Sequence, residues 1–169
     1  FSFNFAFYIM FPKVSPINFT LEYLKIKLTK EFKFGNFALD NTFLYQIVNQ
    51  DRDYLNVPKF ITRNTFYYSN TILKGAMFFQ TGISFKYFSK YFSNEYNPLI
   101  SSFHVQTDKK IGGFPMIDLF VNAKIQQTRL FLKAEHFNST FTGNNFYSSP
   151  AYPYRDFIIR FGLVWNFFN

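Results

Sequence analysis

The sequence predicts an all-β protein, a transmembrane antiparallel up-and-down β-barrel of about nine strands, and three observations carry that expectation. The first is the closing stretch Arg155–Asn169. There Phe157, Ile159, Phe161, Leu163, Trp165 and Phe167 alternate with Asp156, Arg160, Gly162 and Asn166. Period-two alternation of this length describes a strand with two chemically different faces. A chain rarely ends on so good a strand unless a neighbour flanks it on both sides, as in a barrel. The second is composition: 28 Phe and 12 Tyr in 169 residues, yet a mean hydropathy of only −0.09. Aromatics so interleaved with Asn, Lys, Ser and Thr fit a soluble sheet or a membrane barrel by composition alone, and their number favours lipid on one side. The third is that no apolar run approaches the roughly 18–20 residues of a membrane helix. A barrel is the other structure that can satisfy its backbone within lipid.

Taken in order, Phe1–Met10 alternates Phe1, Phe3, Phe5, Phe7 and Ile9 with smaller or polar residues. Pro12 and Pro16 bracket a connection, because proline cannot donate to a ladder. A second strand runs from Phe19 to Phe34, with Leu24, Ile26, Leu28, Phe32 and Phe34 opposite Lys25, Lys27, Thr29, Glu31 and Lys33. The phase change at Tyr23-Leu24 suggests a bulge, and Lys30 falls on the apolar face. Gly35-Asn36 is a two-residue hairpin turn into a strand bearing Phe37, Leu39, Phe43, Tyr45 and Ile47. After a polar loop, Phe60–Tyr68 is a fourth strand with Ser69-Asn70-Thr71 as its turn. Ile72–Phe92 is a long fifth strand, and Ile100–Gln106 a weak sixth. Met116–Ile125 and the segment around Leu130–Glu135 flank a tight turn at Gln126-Gln127. The longest loop, Phe137–Tyr154, precedes the closing strand, and no helix is expected.

An up-and-down barrel pairs its first and last strands antiparallel, which requires an even number. Nine strands, with an opening at Phe1 that starts in mid-pattern, lead to the expectation that residues 1–169 form the C-terminal portion of a larger barrel domain.

Charge and motif content narrow the function. The net charge is +8, but the cations are spread over alternating strand positions rather than gathered in a patch, so nucleic acid is not the expected partner. Lys25, Lys27, Lys33, Lys74, Lys86, Arg129, Lys133 and Arg160 share the polar strand faces with Glu31, Asp118, Glu135 and Asp156. Two readings stay open: a lumen whose positive field favours anionic solutes, or a structural lattice of ion pairs and solvated wall residues. The chain has no Cys, and its histidines, His104 and His136, lack companion ligands at metal-site spacing. Asn49, Asp51 and Asp53 alternate like the start of a calcium loop without its Gly and late Glu, and read as a polar turn. Without a Gly-x-Ser-x-Gly elbow no catalytic residue is assigned; no enzyme activity, metal or cofactor is expected. Tyr87, Tyr91, Phe92, Trp165 and Phe168 are read as aromatics at the membrane interface.

Arg160-Phe161-Gly162-Leu163-Val164-Trp165-Asn166-Phe167 resembles the C-terminal signal of bacterial outer-membrane barrels, with Arg160, Gly162, Trp165 and Phe167 at its key positions. Phe168 and Asn169 depart from it by following the aromatic that usually stands last. A wider stretch, Leu55–Asn169, resembles the C-terminal part of the putative porins of Bacteroidota. The matching residues are Leu55-Asn56-Val57-Pro58, Thr62-Arg63-Asn64, Phe79-Gln80-Thr81-Gly82, Tyr87-Phe88 with Tyr96-Asn97-Pro98, Asp118–Asn122, Glu135-His136 and Tyr152-Pro153. The resemblance implies a bacterial outer-membrane location, contact with outer-membrane lipid, and delivery by the barrel-assembly machinery. The expected role is passive diffusion of small hydrophilic solutes, anions among them. The alternative is a structural or accessory barrel subunit of a larger outer-membrane secretion or uptake complex, in contact with other subunits.

Overall fold

The computed structural model describes residues 4–10, 21–143 and 146–166. Strands β1 (Asn4–Met10), β2 (Leu21–Phe34), β3 (Phe37–Gln50), β4 (Phe60–Ile72) and β5 (Met77–Phe88) follow one another along the chain. A 3₁₀ turn, Leu73–Gly75, separates the last two. Four short strands come next: β6 (Tyr91–Phe92), β7 (Glu95–Asn97), β8 (Ser102–His104) and β9 (Lys110–Ile111). Long elements resume with β10 (Pro115–Ile125) and β11 (Thr128–Glu135). After these come a four-residue helix α1 (Ser139–Thr142), the short β12 (Tyr147–Ser149) and β13 (Tyr152–Pro153), and β14 (Ile158–Trp165). The long strands form one eight-stranded antiparallel sheet in the order β1-β2-β3-β4-β5-β10-β11-β14. Among the described residues β1 and β14 are its two edges and do not pair with each other, so the expected closure into a barrel is not seen. No described helix is long and apolar enough to cross a membrane.

Neighbouring strands hold a continuous register, and residues directly opposite each other share a face. On one face lie Phe32, Leu39, Phe66, Ile83, Leu119, Ala134 and Ile159, one each from β2, β3, β4, β5, β10, β11 and β14. The other face carries Glu31, Asp40, Thr65, Ser84 and Asp118 in a matching row. A water-soluble sheet protein would bury the first face and expose the second. Here Phe66 is 50% exposed, Phe161 83% and Trp165 57%, whereas Thr65, Ser84 and Asp118 are exposed by 8% or less. The buried apolar side chains among the described residues are Ala38, Ile111, Phe114 and Met116.

Several sequence-based boundaries shift. Strands β2 and β3 pair without interruption from Leu21↔Gln50 to Phe34↔Phe37, so Tyr23-Leu24 is not a bulge. Tyr23 is instead a polar-face residue whose hydroxyl donates to Gln46 Oε1. Lys30 does lie on the apolar face, buried, in register with Asn41 and so with Asn64, its ammonium 5.7 Å from the Phe32 ring centroid. Ser69-Asn70-Thr71 is not a turn: β4 continues to Ile72, and these residues pair with Gln80, Phe79 and Phe78. The reversal falls at Leu73–Gly75, where Leu73, Lys74 and Gly75 all take positive φ, so the fifth strand starts at Met77 rather than Ile72. It ends at Phe88, four residues short of Phe92. Ile100–Gln106 adds no strand to the sheet; its Ser102–His104 part forms a small hairpin with β7. The loop Phe137–Tyr154 is not featureless, since it contains α1 and the β12-β13 ribbon. The hairpin turns at Gly35-Asn36 and Gln126-Gln127 fall where expected, with φ of +60° at Gly35 and +49° at Gln126.

At Gly82, between Tyr67 and Phe120 in the register, a Cβ would stand 2.4 Å from the Phe66 carbonyl oxygen and 2.8 Å from the Tyr67 Cα. Both are backbone atoms of a paired strand and cannot swing aside. Gly82→Ala is expected to cost about 1–3 kcal/mol, the range for overpacking, in urea unfolding of the detergent-solubilised protein. Gly35→Asn, in an open turn at a φ that Asn tolerates, should be nearly neutral.

Candidate functional site: the polar face of the sheet

Seven of the eight sequence-predicted wall charges come together on one face. Lys25, Lys27 and Lys33 stand on β2, Lys86 on β5, Arg129 and Lys133 on β11, and Arg160 on β14. Lys74 does not join them: it sits in the 3₁₀ turn with φ +52° and belongs to neither face. Two cations missing from that set stand on the same face, Arg63 on β4 and Lys124 on β10. Strand parity marks Lys124, which shares its face with Asp118 and Asn122, whereas Arg63 shares its face with Ile61, Thr65 and Tyr67, a mixed set that leaves its phase unmarked.

Three pairs of cations stand directly opposite each other across neighbouring strands: Arg63 and Lys86, Lys124 and Arg129, and Lys133 and Arg160. Like charges so placed destabilise a sheet. Carboxylates offset two of the three. Asp118, 3% exposed, takes Lys86 Nζ at 2.6 Å and Lys133 Nζ at 3.2 Å on Oδ2. Its Oδ1 accepts the His136 backbone N–H at 3.0 Å. Glu135 takes Lys133 at 2.8 Å, Arg160 at 3.1 Å and Arg155 at 3.6 Å. The chain Lys86–Asp118–Lys133–Glu135–Arg160 thereby ties β5, β10, β11 and β14 together across the wall. Among the described residues no carboxylate pairs with Arg63, Lys124, Arg129, Lys25 or Lys27. On β2, Lys33 meets Glu31 at 3.1 Å, and Glu31 also accepts the Tyr67 hydroxyl; with Lys33 69% exposed, that pair contributes little.

Polar side chains fix the long connections at one end of this face. The buried Gln106 donates to Ser93 O at 2.6 Å and Lys109 O at 2.8 Å, and accepts the N–H groups of Asp108 and Lys109. Asn138 caps the start of β10 by accepting the Ile117 N–H and donating to Pro115 O. His136 is buried, its Nδ1 2.7 Å from Arg155 O, with its ring edge-on to Tyr154 and tilted against Phe114 and Phe146. His104 sits apart from it, 3.5 Å from Glu95 across the β7-β8 hairpin. The described residues contain no cluster of His, Cys, Asp or Glu able to hold a metal.

The other predicted sites are dispersed. Arg160 and Gly162 point to the polar face of β14, where the Phe131 ring covers Gly162. Trp165 stands on the apolar face. Phe167 and Phe168 lie outside the described residues. Tyr87 is on the apolar face, while Tyr91 and Phe92 lie beyond the sheet in the β6-β9 ribbon, with Phe92 under the Lys110 ammonium at 4.9 Å.

The fold and the site together define an all-β protein whose single antiparallel sheet has one exposed apolar face and one cation-rich polar face. Residues 14–169 match the family model described as "Putative porin", and the chain belongs to that family. The match reaches back past Leu55, where the resemblance in the sequence began, and takes in β2 and β3. No curated protein and no solved structure matches the chain.

Asp118 is the carboxylate on which two lysines converge. Asp118→Ala is expected to destabilise the folded protein by about 2–3 kcal/mol. That is somewhat less than for a fully buried pair, because both lysines are a third exposed. A double-mutant cycle with Lys86→Ala, read by urea unfolding, should show strong coupling; additive losses would mean that the ion pair contributes nothing.

Proposed function

We propose that this chain forms part of a closed transmembrane barrel in the bacterial outer membrane, and that the barrel passes small hydrophilic solutes by diffusion, favouring anions. The observation that carries the reading is the inversion of the sheet. Large apolar side chains stand exposed on one face in β2, β3, β4, β5, β10, β11 and β14, and ionisable and amide side chains crowd the other. In lipid the apolar face needs no further covering, and the backbone of a barrel is satisfied within the sheet. Among the described residues the edges β1 and β14 offer unpaired backbone groups that closure with further strands would satisfy. Family membership supports a porin-like role, and with it an outer-membrane location.

The polar face then lines a water-filled lumen. Arg63, Lys124, Arg129, Lys25 and Lys27 give its wall a positive potential that concentrates anions. Selectivity would come from pore width and wall charge, without bond chemistry. Insertion would use the barrel-assembly machinery, with Arg160, Gly162 and Trp165 as the described part of the C-terminal signal.

A specific observation favours the second reading, an accessory barrel within a larger outer-membrane assembly. The β7-β8 hairpin presents Leu99 at 93%, Ile100 at 66% and Phe103 at 64% exposure, a tip suited to burial against another subunit. Conductance separates the two readings. Full-length protein in planar bilayers should carry a steady ion current, and Lys25→Glu, Lys27→Glu and Lys133→Glu combined should move the reversal potential toward cations. A protein that carries no current is not a diffusion pore. An unchanged reversal potential would show that these side chains do not line the conducting path.

A further inference from the structure

The polar face holds one hollow, of about 340 Å³, that is more than a charged wall. Arg63, Lys86 and Lys133 line it together with Gln80, Asn122, Phe120 and Phe131. Asp118, the carboxylate within it, already binds both lysines and the His136 N–H. Arg63 stands opposite Lys86 and has no carboxylate of its own among the described residues. Its guanidinium fork is therefore the place where a second carboxylate is stabilised rather than repelled.

Two further features call for more than a simple anion. Gln80 and Asn122 are opposite each other and joined amide to amide, Asn122 Nδ2 donating to Gln80 Oε1 at 3.1 Å. That bond leaves the Gln80 amino group and the Asn122 carbonyl as a donor and an acceptor side by side. Phe131 is 43% exposed although it stands among cations and amides, its ring laid over Gly162, where a Cβ would meet it at 2.4 Å. An exposed ring on a wetted wall forgoes burial that a flat apolar ligand face would restore. Ring faces carry negative potential and attract the partly positive C–H hydrogens of such a face.

We propose that this hollow is a binding subsite for a saccharide bearing a carboxylate, one or two pyranose rings in size. The carboxylate meets the Arg63 fork in the bidentate geometry that guanidinium favours. The ring hydroxyls meet the Gln80–Asn122 amides, and the C–H face of the sugar lies on Phe131 and Phe120. The volume falls within the range of small-molecule pockets, roughly 300–1,000 Å³. An inorganic anion would leave the rings and amides unused, and an aromatic carboxylate would leave the amide pair unmatched. The subsite rests on the reading of this face as a solute path, and it adds the class of solute.

Calorimetric titration of the full-length protein in detergent tests it, with digalacturonate, maltose, benzoate and sulfate as probes. Digalacturonate should bind saturably and more tightly than the other three. Arg63→Gln should weaken it on the order of tenfold, the loss expected for one charge-assisted contact. Arg63→Lys should restore part of the affinity, and Phe131→Ala should weaken digalacturonate while leaving sulfate unaffected. Equal affinity for maltose, benzoate or sulfate would overturn the proposal, as would unchanged binding in Arg63→Gln that still shows a folded, heat-modifiable band. Conductance is read separately. A protein that conducts but does not bind digalacturonate refutes the subsite alone, and one that binds without conducting refutes the pore alone.

Discussion

Everything in this structure depends on one constraint, the phase of the side-chain alternation held from strand to strand. Because the period is two, a slip of one residue in any pairing would send that strand's aromatics to the charged face and its lysines to the apolar one. Tight turns protect the phase at one end of the sheet: Gly35-Asn36 joins Phe34 to Phe37, and Gln126-Gln127 joins Ile125 to Thr128. At Leu73–Gly75 the chain accepts positive φ at two non-glycine residues to close the β4-β5 hairpin in register. At the other end the connections are long, and buried Gln106 and Asn138 organise them through backbone hydrogen bonds.

The cations show what the phase costs and what it makes available. Placing Lys133 opposite Arg160, and Arg63 opposite Lys86, is unfavourable until carboxylates intervene. Asp118 on β10 and Glu135 at the end of β11 intervene, so one network of charge-assisted bonds offsets the repulsion and holds Lys86, Lys133 and Arg160 in place. Arg63, Lys124 and Arg129 stay without carboxylates among the described residues, so paired and unpaired cations are neighbours on one face.

Much of this was legible in the sequence, because alternation survives in the primary structure. The two faces of β2, β3, β5, β10 and β14 could be read residue by residue, and so could most of the charged wall. Pairing could not be read. Which cation opposes which, and that Asp118 reaches two lysines, are properties of register. Turn chemistry also misled: Ser69-Asn70-Thr71 has turn-like composition, yet β-branched Thr71 pairs well within a strand, and the reversal waits for Gly75. The same composition places Lys74 on the expected wall. Arg63 does not stand out although Phe60–Tyr68 reads as a strand, because both faces of that strand mix polar and apolar residues. Between β5 and β10 the alternation that suggests strands to Phe92 and over Ile100–Gln106 belongs to small ribbons outside the sheet, held by side-chain amides.

We read the apolar face as the one that meets lipid and the polar face as the one that meets water. The chain contains no cysteine, so single cysteines can report each face without background. Lys27→Cys and Ile26→Cys place a thiol at adjacent positions of β2 on opposite faces. In the full-length protein reconstituted into vesicles, a small charged maleimide should label the first readily and the second hardly at all until the lipid is dissolved under denaturing conditions. Rapid labelling of Ile26→Cys with protection of Lys27→Cys would contradict the assignment of the two faces.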